Sequence, residues 1–222
     1  MGRLGELSEL HRWMWAGEEG VKFHRQAEYR FKKWWLPNHS AIVAPFRDAM
    51  RSCGVCTTLC EIGSGSGLVL QDLSQRLPEI GQLIGLDLSR EQTEHNRNRF
   101  RGNPRLRFEA GDATSWVARH AKPGWAYFTN AGVLEYFSEE QLSMLLSEIA
   151  ASMRPAVFAL IEPVPKDYDF ARELKSRPYN FEKSLGHNYF LWLGTSGWHV
   201  TYYDEIELAN CRFVMVVATA PA

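Results

Sequence analysis

The chain reads as an α/β protein: a doubly wound, mostly parallel sheet with helices on both faces, preceded by a helical N-terminal extension. Three observations predict it. Residues 59–67 read LCEIGSGSG, a short apolar run that closes on an acid and a glycine-spaced turn. A run of this length bounded by turn residues suits a buried parallel strand. Downstream, apolar strand-like runs alternate with helical segments, the βαβ rhythm of parallel sheets. With 222 residues, 45% hydrophobic and 23% charged, the chain has the size and balance of one globular α/β domain with some decoration.

Residues 1 to about 52 read as helical, without a convincing strand, and form an N-terminal extension to a domain spanning 53–222. GEEGVKFHRQAEYRFKKWW is rich in aromatic and basic residues and is broken by Pro37. SAIVAPFRDAMRS then leads into the first strand. The rings of Trp13, Trp15, Phe23, Tyr29, Phe31, Trp34 and Trp35 are either an apolar face packed on the domain or a lid over a ligand. After the glycine turn, Leu68, Leu70, Leu73 and Leu77 mark an amphipathic helix. A second strand, QLIGLDLS, ends in Asp87, and Ser89 caps the polar helix REQTEHNRNRF.

RLRFEA is the third strand and runs into Gly111 and Asp112; WAYFTN is the fourth. Ser138 with Glu139, Glu140 and Gln141 forms a capping-box start to a helix carrying Leu142, Leu145, Leu146 and Ile149. AVFALIEP is the fifth strand. An insertion at about 163–186, with Pro163, Pro165 and Pro178, interrupts the rhythm as a long connection. HNYFLWLGTS is a short helix stopped by Gly197, and WHVTYYDE and CRFVMVVATA are the closing strands.

The turn itself narrows the ligand. A dinucleotide fingerprint needs a small residue three positions after the second glycine, where this chain has Leu68. Glu61, two residues before Gly63, would repel a pyrophosphate yet can receive an amine. The pattern favours an ammonium-bearing ligand, although a tight glycine turn in another Rossmann-like protein would look similar. This E-x-G-x-G-x-G run resembles motif I of the class I S-adenosylmethionine-dependent methyltransferases. The resemblance implies a seven-stranded sheet with an antiparallel last strand, S-adenosylmethionine as cofactor and S-adenosylhomocysteine as product.

It also implies a residue set. Gly63, Ser64, Gly65 and Gly67 would pass close to the methionine part, whose amino group Glu61 would support. Asp87 would take the ribose hydroxyls, Leu88 would pack on the adenine, and Asp112 and Ala113 would receive its exocyclic amine and ring edge. Asn130 and Gly132 would supply backbone contacts after the fourth strand. His187 and Tyr136 are the chosen candidates for a base, with Glu135 and His199 also near the expected site, and His187 also reads as a structural hydrogen-bonder. Family members often carry His at the position of Tyr136, so a base role there is in doubt.

TNAGVL stands where amide and adenine methyltransferases carry Asn or Asp, two prolines and an aromatic. A small-molecule acceptor is therefore expected first, then a protein side chain, then a regulatory module that binds the cofactor without catalysis. A net charge of −1 gives no field for nucleic acid. No apolar stretch approaches a membrane span, and no signal-peptide core opens the chain, so a cytoplasmic protein is expected. Cys53, Cys56, Cys60 and Cys211 include a C-x-x-C without a second ligand pair, so reduced thiols and no metal are expected.

Overall fold

The computed structural model describes residues 3–54, 57–208 and 211–222. Helices α1 (Arg3–Ala16), α2 (Glu18–His24) and α3 (Ala27–Arg30) lead into a π-helical turn (Phe31–Trp35) and a 3-10 turn (His39–Ile42). The aromatic segment is thus several short helices, not one. Gly17 begins α2 in an extended conformation and divides it from α1. Helix α4 (Val43–Cys53) buries Val43, Phe46, Ala49 and Met50 and ends at Gly54, in the left-handed conformation.

Seven strands form the central sheet: β1 (Thr58–Ile62), β2 (Gln82–Asp87), β3 (Leu106–Ala110), β4 (Trp125–Asn130), β5 (Ala156–Val164), β8 (His199–Leu208) and β9 (Cys211–Ala220). Their order is β3-β2-β1-β4-β5-β9-β8, with β1 to β5 parallel and β9 antiparallel to both neighbours. Every residue of β1 and β5 is buried, as strands covered on both faces require. Along β1 the pleat sends Leu59 into the core shared with α4 and α5 (Leu68–Arg76), and Cys60 and Ile62 into the opposite core.

That opposite core is covered by α7 (Ala113–His120), α8 (Glu139–Ser152) and α9 (Tyr189–Thr195). The Ser138 capping box is formed, and Ser89 accepts from the Gln92 N–H to start α6 (Arg90–Arg99). The connection after β5 holds a hairpin, β6 (Arg177–Tyr179) with β7 (Ser184–Gly186). Sequence patterning left that pair unseen because three-residue strands are too short to display a period.

Cys60 lies buried within β1, and Cys53 is half-buried at the end of α4. Cys56 lies outside the described residues, as does the side chain of Cys211. No described helix is long and apolar enough to cross a membrane.

Candidate functional site

The strand order reverses between β1 and β4, and α/β sheets bind ligands beyond the carboxyl ends of their strands at such a point. A cavity of about 350 Å³ opens there. Its floor is the turn after β1. The N–H groups of Gly63 and Ser64 both donate to the Leu86 carbonyl, at 2.8 and 3.0 Å, which ties the turn to β2. Gly63 has φ +70°, and a Cβ there would lie 2.6 Å from the Val133 side chain. Gly67 serves a different purpose: a Cβ on it would strike the rings of Phe100 and Phe108, so it permits packing and does not line the cavity.

Glu61 is 2% exposed, lines the cavity, and its Oε2 has no hydrogen-bond partner. Burial pushes its carboxyl well above the usual range; the nearby Asp87 adds to this, and a backbone bond from Leu70 opposes it. An orphaned buried carboxylate oxygen facing a cavity fits a cationic ligand group. Asp87 accepts from the Gly65 N–H at 2.8 Å and the Ser89 N–H at 2.9 Å. Asn96 donates to the Gly65 carbonyl at 2.6 Å, a support with no local sequence signal.

Asp112 caps α7 by accepting from the Ser115 N–H at 3.0 Å, and its Oδ2 faces Arg12 of α1 at 3.3 Å. Leu88, Ala113, Asn130 and Gly132 also line the cavity, with Asn130 Oδ1 accepting from His39 Nδ1 at 2.9 Å. Burial holds His39 down at about 4, so the ring is neutral.

The structure brings eleven of the expected residues to one cavity and leaves out Gly67 and His187. His187 is fully buried, its Nε2 bonding the Leu134 carbonyl at 3.0 Å and its Nδ1 bonding Ser176 Oγ at 2.6 Å. Burial holds it down at about 4, and both nitrogens are engaged, so it has no free face for a substrate proton. His199 is exposed at the start of β8, outside the cavity. Tyr136 does line the cavity, but its hydroxyl donates to Glu182 at 2.9 Å and burial pushes it well above the phenol range.

Four contributors come from distant segments. Trp15, Phe23 and His24 of the N-terminal helices and Tyr179 of β6 complete the walls. A Cβ on Gly65 would lie 3.0 Å from the His24 ring, so α2 sits directly on the glycine turn. Trp35 touches the cavity but is mainly a core residue, 1% exposed, its Nε1 donating to Asp72 at 2.7 Å. The aromatic segment therefore divides, some rings packing and others facing the cavity.

Comparisons with known proteins agree with this architecture. The family described as "Methyltransferase domain" matches residues 59–156. No curated protein sequence matches the chain significantly. Among solved structures, the magnesium protoporphyrin IX methyltransferase of Synechocystis PCC 6803, with bound S-adenosylmethionine, is 14% identical. The match covers 96% of each chain at a TM-score of 0.65. The N-methyltransferase NodS of Bradyrhizobium japonicum WM9, in complex with S-adenosylhomocysteine, is 13% identical over 87% of this chain and 92% of its own, at 0.61. The 4+2 cyclase SpnF is 14% identical over 82% and 80%, at 0.62. Residues 59–156 thus match a methyltransferase domain, and the fold is the one shared with solved S-adenosylmethionine-dependent methyltransferases.

Proposed function

We propose that this protein transfers a methyl group from S-adenosylmethionine to a small-molecule acceptor enclosed beneath the N-terminal helices. One observation carries the choice of acceptor. The walls opposite the glycine turn are Trp15, Phe23 and Trp34 from the N-terminal segment and Tyr179 and Asn180 from the connection after β5. A pocket of about 350 Å³ with that lining suits a molecule of low mass better than a polymer.

The residues present fit the cofactor. Glu61 Oε2 would receive its ammonium group, and Gly63, Ser64 and Gly65 would admit the methionine part. Asp87 would take the ribose hydroxyls with its remaining lone pairs, Leu88 would cover the adenine, and Asp112 and Ala113 would meet its edge. When bound, the cofactor supplies an electrophilic methyl carbon on a positively charged sulfur. The protein's own part is alignment and exclusion of water. His187 is a positioning residue in this reading, bracing the Leu134 turn from behind. The unpaired Cys53 and Cys60 thiols suit a reducing compartment and support a cytoplasmic protein. The cyclase of the same fold supports a second reading, in which the cofactor site serves something other than methyl transfer.

Thermal unfolding with S-adenosylhomocysteine or NAD at about 100 times Kd tests the cofactor, and a rise of roughly 5–10 °C is expected for the first alone. Incubation with S-adenosylmethionine and size-fractionated cell extract tests the acceptor. S-adenosylhomocysteine should form with the low-mass fraction. Formation only with the macromolecular fraction would replace the small acceptor by a protein.

A further inference from the structure

The cofactor wall and the acceptor wall meet at one side chain. Glu135 lies in the short helical turn Leu134–Tyr136 that follows β4 and lines the cavity while only 6% exposed. Its Oε1 rests against Gly132, on the cofactor side, where any Cβ would collide with it. Its Oε2 accepts from the Tyr179 hydroxyl at 2.5 Å, on the acceptor side. The groups acting on it are Tyr179, Ser184, Glu182 and Tyr136, none of them a cation. We propose that Glu135 takes the acceptor's proton during methyl transfer, and that the acceptor is a neutral ring compound presenting a hydroxyl. This rests on the methyl-transfer reading above.

The chemistry balances on that assignment. As the acceptor oxygen bonds to the methyl carbon, the carbon–sulfur electron pair stays on sulfur and the hydroxyl proton passes to Glu135. A hydroxyl, a sulfonium and a carboxylate become a methyl ether, a thioether and a carboxylic acid, neutral overall on both sides. Burial, opposed by the Tyr179 hydrogen bond, holds Glu135 up at about 7, where it can be a carboxylate before the step and an acid after it. An ammonium acceptor would place a second cation beside the sulfonium, and with Glu61, Asp87 and Asp112 given to the cofactor in this reading only Glu135 would be left to balance both, which disfavours it. The apolar rings of Trp15, Phe23 and Trp34 favour a flat, uncharged body.

The titratable groups around Glu135 are Tyr136 of its own turn, Glu162 of β5, Tyr179 of β6, Glu182 of the hairpin loop and Tyr189 of α9. His187 stands behind Leu134 and His11 of α1 beside Tyr136. Glu162 is also pushed upward by burial, to about 8, but its Oε2 is taken by the N–H groups of Val133 and Leu134 and it does not line the cavity.

Calorimetric titration of S-adenosylmethionine and S-adenosylhomocysteine between pH 5.5 and 8.5 tests the assignment. Below about 7 Glu135 is a neutral acid; above it is a carboxylate that attracts a sulfonium and not a thioether. The ratio of the S-adenosylhomocysteine Kd to the S-adenosylmethionine Kd should rise about tenfold across that range in the unaltered protein. It should change by less than about twofold in Glu135→Gln and still rise in Glu162→Gln. Tyr179→Phe, which keeps Glu135, should move the midpoint to higher pH by removing a bond that favours the charged form. With S-adenosylhomocysteine bound at pH 8, phenol should bind more tightly than benzylamine, and less tightly to Glu135→Gln. A flat ratio, or an equal rise in Glu135→Gln, would make Glu135 structural. Tighter benzylamine would overturn the hydroxyl. If neither cofactor form binds, the methyl-transfer reading fails, and this inference with it.

Discussion

The two walls of the cavity are built in different ways. On the glycine-turn side, proposed to hold the cofactor, two of the acids are secured by backbone near the strand ends: Asp87 by Gly65 and Ser89, Asp112 by the first turn of its own helix. On the opposite side, proposed to face the acceptor, the contacts join remote segments. Ser8 Oγ donates to the Tyr136 carbonyl across 128 residues, and His11 bonds the Glu182 carbonyl at 2.8 Å. Tyr179 reaches Glu135 from an inserted hairpin. The first wall is part of the sheet's frame, whereas the second is a cover laid over it. A cover of this kind can change without disturbing the strands.

Substitutions can test that division. The largest effect is expected at Gly63→Ala. A side chain at φ +70° costs about 1–2 kcal/mol, and its collision with Val133 adds about 1–3 kcal/mol. Denaturant unfolding should show both losses together, with S-adenosylhomocysteine binding abolished. A stable variant that still binds would mean the turn is less tightly built than its contacts indicate.

Asp87→Asn should come next. An amide oxygen cannot hold Gly65, Ser89 and a ribose as a carboxylate can, and a bond to a charged group contributes about 1.5–3 kcal/mol. Cofactor affinity in calorimetry should fall by about tenfold or more, with a smaller loss of melting temperature. Unchanged affinity would remove Asp87 from the cofactor wall.

Arg12→Ala should do least. The Arg12–Asp112 pair is partly exposed on both sides, so it contributes about 0.5 kcal/mol and the Kd should move less than about threefold. A loss as large as that of Asp87→Asn would show that α1 belongs energetically to the cofactor wall, and the division would need redrawing.

Most of the frame was legible because its signals are local. Strands β4 and β9 were read residue for residue, and the Ser138 box announced α8. Asp112 was read with both roles open, as cap and as ligand contact; the structure shows the cap and also turns its second oxygen toward Arg12. His187 was read both as a base and as a structural hydrogen-bonder, and its contacts are those of the second. Its place after the long connection suggested the cavity face, but that connection folds back, and the ring is enclosed between Ser176 and Leu134. Glu135 was visible only as one nearby acid among several. Nothing in its neighbours along the chain indicates that one oxygen sits close against Gly132 and the other accepts from Tyr179.

The sequence by itself determined the sheet, its buried strands and the glycine turn with Glu61 at its mouth. Hydrophobic period, helix caps and glycine spacing act within a few residues and leave their mark on the chain. Only the tertiary structure decided which aromatic rings face the cavity, that Gly67 serves packing, and that Glu135 rather than His187 lines the cavity. Burial and the meeting of distant side chains set those outcomes, and neither is a property of any short stretch of residues.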